Sequence, residues 1–101
     1  MYRNIKIYAE AERQIVSSSG RILSSREETE EFALMRLTSE AFQEIRASPE
    51  SERADAYRKW VRNNIAECAS SLGREELEGH LAQFNRFLTY HEGWDITWVE
   101  V

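Results

Sequence analysis

The sequence predicts an α+β domain: an N-terminal strand or β-hairpin, three consecutive helices and a C-terminal strand, forming a small mixed or antiparallel sheet with the helices packed on one face. Three observations predict it. Apolar and polar residues alternate near both ends of the chain, helical periodicity fills the middle, and Ser17-Ser18-Ser19-Gly20 puts a turn signal into the N-terminal part. A C-terminal strand on its own must pair with something, and the N-terminal strand or hairpin is the partner on offer. At 101 residues and 42% apolar content, the chain reads as a single compact domain with one core.

Residues 1–24 read as the strand or hairpin. Ile5, Ile7, Ala9 and Ala11 alternate with Asn4, Lys6, Tyr8 and Glu10, and the turn separates Ile15-Val16 from Ile22-Leu23. Residues 25–47 read as helix one. Ser25-Arg26-Glu27-Glu28 has capping-box spacing, and Leu34, Met35, Leu37, Thr38, Ala41, Phe42 and Ile45 form a broad apolar arc, with Phe32 off it.

Residues 49–72 read as helix two. Ser48 is a natural N-cap, Pro49 suits the first helical position, and Ala54, Tyr57, Val61, Ile65, Cys68 and Leu72 fall in a narrow stripe ahead of a stop at Gly73. Residues 74–89 read as helix three, with Leu77, Leu81, Phe84 and Leu88 inward. Past Gly93, residues 94–101 alternate again. Trp94, Ile96 and Trp98 share one face of a strand and are expected in the core.

Composition narrows the function classes. Thirteen basic against 18 acidic side chains give a net charge of -5, which disfavours nucleic acid and anionic lipid as partners. The longest apolar run is Phe32-Ala33-Leu34-Met35, against the roughly 20 residues a bilayer needs, so no membrane span is expected. No apolar stretch follows Met1-Tyr2-Arg3-Asn4 as a secretory signal would require. The lone Cys68 can form no internal disulfide, so a reducing, cytoplasmic setting is expected.

No motif carries catalysis. His80 and His91 are eleven residues apart, about 16 Å along one continuous helix, too far to hold one metal ion. Cys68 sits on the helix-two stripe, where a thiol is packing material. The four glycines are scattered singly and make no phosphate loop. No catalytic residue, metal or cofactor is therefore expected. Arg58, Lys59 and Arg62 surround Trp60, but helix geometry puts the cations on one flank of the stripe and Trp60 on the other, which argues against a single-strand-binding platform.

What remains is a surface. Acidic residues gather at Glu27, Glu28, Glu30 and Glu31, then at Glu75, Glu76 and Glu78. Both clusters suit the first turn of a helix, where carboxylates meet exposed amides, and either would also suit a basic partner. Trp60 reads as an edge-packing residue or an interface anchor. The expected function is a small acidic, non-enzymatic interaction protein that binds a protein partner with a basic surface and occludes or regulates it. Its candidate contact residues are Glu27, Glu28, Glu31, Trp60, Glu75, Glu76 and Glu78. Size and charge associate such a chain with inhibitors of the immunity or anti-defence type, as encoded by phages and mobile elements. One alternative is a self-associating structural or regulatory subunit, such as a homodimer. Another is a small enzyme using His80 or His91.

Overall fold

The computed structural model describes residues 2–64 and 73–101. In chain order the elements are β1 (Tyr2–Arg3), β2 (Ile5–Val16), β3 (Ile22–Ala33), β4 (Leu37–Thr38), α1 (Ser39–Ala47), α2 (Glu50–Asn63), α3 (Arg74–Tyr90) and β5 (Asp95–Glu100). The fold is α+β and both sheets are antiparallel. Three strands run in the order β3-β2-β5, and β1 pairs with β4 as a separate ribbon. The C-terminal strand lies against the N-terminal one, with Ile5 opposite Glu100 and Glu10 opposite Asp95.

Strand alternation decides the two faces of the larger sheet. Ile5, Ile7, Ala9 and Trp98 point inward and are buried, while Lys6, Tyr8, Glu10 and Thr97 point away. The helices cover the inward face. Tyr57 of α2 and Phe84 of α3, both fully buried, set their rings 5.9 and 6.2 Å from Trp98. Leu34, Leu37, Ala41, Phe42, Ile45, Val61, Leu77 and Leu81 belong to the same core. Leu88 and Trp94, both predicted to face inward, are half-buried at its border.

Helix one is the element that differs. Its predicted first part, residues 25–33, is strand: β3 pairs with β2 residue by residue, from Lys6 opposite Ala33 to Ile15 opposite Ser24. The helix is confined to Ser39–Ala47, and its cap is Thr38, whose hydroxyl accepts from the Ala41 amide (3.2 Å). The Ser25–Glu28 spacing satisfies local helix-start rules, but a helix there would bury no apolar stripe. The strand instead gives Phe32 a place on the core face opposite Ile7 and completes the ladder of β2.

Smaller differences follow at the junctions. Ser48 closes α1 and Pro49 is the N-cap of α2, so that helix starts one position later than expected. Gly73 is the N-cap of α3, with its amide bonded to the Glu76 carboxylate. Ile65, Cys68 and Leu72, expected on the helix-two stripe, lie outside the described residues.

Candidate functional site

Beyond Glu10 the sheet loses β5 and continues as two strands only. Ala11–Val16 and Ile22–Glu28 form an arm roughly 20 Å long at about 3.3 Å per residue, which contributes to overall extents of 57 × 27 × 21 Å. The predicted turn closes it. The Ser17 amide donates to the Arg21 carbonyl (2.8 Å), the Gly20 amide to the Ser17 carbonyl (2.9 Å) and the Arg21 amide to the Ser17 hydroxyl (3.1 Å). Gly20 takes φ +86°, a left-handed backbone that glycine adopts without a Cβ clash.

The arm has a charged shaft and an apolar tip. On its outer face stand Glu10, Glu12, Glu27 and Glu31, with Glu12 directly opposite Glu27. Glu31 meets Lys6 (3.3 Å), whereas Glu10, Glu12 and Glu27 have no cation among the described residues. On the other face the half-buried Glu28 holds Arg13 (3.0 Å) and Arg26 (3.9 Å). At the tip Ile15, Val16, Ile22 and Leu23 are 61, 49, 55 and 62% exposed, a cluster of aliphatic surface at the end of a ribbon that no other described residue covers.

The expected contact residues therefore fall in three places. Glu27, Glu28 and Glu31 lie on β3 rather than in a helical first turn, and strand alternation sends Glu28 to the face opposite the other two. Glu75 and Glu76 occupy the first turn of α3, as the helix-start reading requires. Glu78 is engaged across the helices: Arg62 Nε and Nη2 donate to its two oxygens at 3.0 and 3.1 Å, which lowers the Glu78 carboxyl below its usual range. Trp60 is half-buried and lines a recess of about 260 Å³ with Ile45 of α1 and Ala56 and Asn63 of α2.

A larger groove of about 580 Å³ runs beside β5. Ala54, Leu88, Trp94, Ile96 and Trp98 give it apolar walls, and Glu50 and Asp95 stand on it with no cation among the described residues. Five consecutive residues, 94–98, line it, so it follows the strand's edge and not one face. That edge is open, because β5 pairs only with β2 among the described residues. Nothing in the sequence announced this groove.

The two histidines lie apart. Tyr57 Oη accepts from the Met35 amide (2.9 Å) and stands 2.9 Å from His80 Nε2. The hydroxyl therefore joins the Met35 amide to the His80 ring through one oxygen. Burial holds the His80 pKa below the usual 6.5. His91 caps α3, and its Nδ1 donates to the Phe87 carbonyl (2.7 Å). Neither imidazole bonds to a carboxylate among the described residues, and these hold no group of three or more metal-ligating side chains.

No family model, curated protein or solved structure matches this chain. The function must be read from the surface itself. No helix among the described residues is long and apolar enough to cross a membrane.

Proposed function

We propose that this is a non-enzymatic interaction protein of the cytoplasm whose β-arm docks on a basic surface of a protein partner and occludes or regulates it. One observation carries the reading: Glu12 and Glu27 face each other across the outer ladder of the arm with no cation beside them. Like charges directly opposite on a sheet destabilise it. Both residues are exposed, the fold gains nothing from that pair, and a basic partner relieves the repulsion on contact. Glu10 and Glu31 extend the same face, and its charge steers a basic partner toward the arm.

A small acidic module covering a basic surface acts by blocking access to it, which is how an immunity-type or anti-defence inhibitor works. The acidic start of α3 plays the lesser part, because Glu76 is committed to the Gly73 amide and Glu78 to Arg62.

The test pairs the native protein with E12K/E27K as baits in extracts of the source cells. The double reversal keeps two like charges opposed, so the ladder is perturbed equally in both baits. A protein retained by the native bait and lost from the variant, with an association rate that rises as salt is lowered, supports the reading. Identical retention by both baits overturns it.

A further inference from the structure

The arm tip and the β5 groove are two uncovered surfaces whose chemistry matches. The tip carries the exposed Ile15, Val16, Ile22 and Leu23 together with Arg21, which makes no ion pair among the described residues, whereas Arg13 and Arg26 below it are held by Glu28. The groove presents Leu88, Trp94 and Trp98 as apolar wall, with the carboxylates of Glu50 and Asp95 on it, neither paired among the described residues. A cationic, aliphatic projection thus has an anionic, apolar recess to enter. At about 580 Å³ the recess lies within the roughly 300–1,000 Å³ typical of binding clefts, room for several aliphatic side chains.

The two cannot meet within one copy. Asp95 pairs with Glu10, and the tip begins five residues further along β2, at Ile15, roughly 17 Å away on a hydrogen-bonded ribbon directed outward. We propose that the tip of the arm docks in the β5 groove of a second copy of this chain. Ile22 and Leu23 enter against Trp94 and Leu88, and Arg21 pairs with Glu50 or Asp95. Burial of the aliphatic tip supplies the attraction, and the arginine fixes which end of the groove it enters. Reciprocal exchange of two arms closes such a contact as a dimer, and one-way docking propagates it. The inference does not rest on the partner-binding reading, since it uses the tip and the groove rather than Glu12 and Glu27.

The experiment needs the purified chain alone, which separates its failure from that of the proposed function. Mass in solution, measured by sedimentation over a wide concentration range, is expected to rise reversibly above the 11.9 kDa of one copy. I22S/L23S, R21E and E50R/D95R should each weaken self-association by about tenfold or more. Arg21, Glu50 and Asp95 make no ion pair among the described residues, so those two variants should retain the native circular dichroism. A mixture of R21E with E50R/D95R should associate more tightly than either alone, because the reversed tip then meets a reversed groove. A constant mass of one copy throughout overturns the proposal. So does native-strength association by a folded groove variant, or a mixture that gains nothing.

Discussion

The Tyr57 hydroxyl stands 2.9 Å from His80 Nε2 and 2.9 Å from the Met35 amide nitrogen, so one buried phenol links α2 to α3 and to the segment joining β3 and β4. Tyr57→Phe keeps the ring against Phe84 (4.9 Å) and Trp98 (5.9 Å) and removes only the oxygen. The Met35 amide and His80 then each lose a partner in a place water reaches poorly. A cost of about 1–3 kcal/mol is expected in urea unfolding, with the midpoint reduced and the slope unchanged. A native-like midpoint would show that water replaces the hydroxyl at both groups.

Burial of His80 gives the protein a pH dependence of definite sign. Burial lowers the folded-state pKa of His80 below 6.5, so the unfolded chain binds this proton more readily than the folded one does. The contribution is fully present above pH 6.5 and is lost as pH falls through the lowered folded value. His80→Gln retains a hydrogen-bonding partner for the Tyr57 hydroxyl and cannot titrate. Native stability is therefore expected to fall below pH 6.5 while the variant's stays flatter across that window. Glu78 also has a lowered pKa, but from a usual 4.5, so its contribution is lost at more acidic pH. Parallel profiles for the two proteins would remove His80 as the cause.

At the end of the arm, Gly20 has open space around its missing Cβ, and its φ of +86° is the whole constraint. Gly20→Ala should cost about 1–2 kcal/mol from backbone strain alone. Because the turn and the residues around it are exposed, that cost stays local. Hydrogen exchange of the Arg13 and Arg26 amides, which face each other in the ladder, should accelerate, while amides of the core strand segment Lys6–Ala9 keep native protection. Equal acceleration in both regions would mean that arm and body unfold as one unit.

Legibility in the sequence followed the range of the interactions involved. The Ser17–Gly20 turn, the Leu77/Leu81/Phe84 stripe and the alternation around Trp98 are local patterns, and each element stands where its pattern put it. Residues 25–33 were misread because a serine followed by glutamates obeys helix-start rules, while the pairing that overrides them depends on β2, up to 27 positions away (Lys6 with Ala33). One local sign did point the other way. Phe32 lay off the helical arc, and on a strand it faces inward, 5.5 Å from the His80 and Phe87 rings. The acidic residues were visible, but their grouping depends on secondary structure: strand geometry separates Glu28 from Glu27 and Glu31. The groove joins Glu50 and Ala54 to residues 94–98, a proximity that only tertiary structure creates.

Glu12 and Glu27 set stability of the arm against its proposed use. Glu12→Lys, made alone, turns a like-charge cross-strand pair into an opposite-charge one, since residue 27 remains glutamate. Opposed pairs on a ladder differ by several tenths of a kcal/mol in favour of unlike charges, so the variant should be more stable by about 0.5 kcal/mol at low salt. Added salt should shrink that gain, because both residues are exposed and the interaction is screened. The same substitution removes one of the charges that a basic partner would meet, so binding should weaken as the arm becomes more stable. Thermal unfolding of the native and E12K proteins at two salt concentrations, beside the association rate of each with the partner retained by the native bait, measures both quantities. Were E12K to gain stability and keep its full association rate, the repulsion at Glu12 and Glu27 would have no part in binding. The acidic face would then have to act through Glu10 and Glu31 alone.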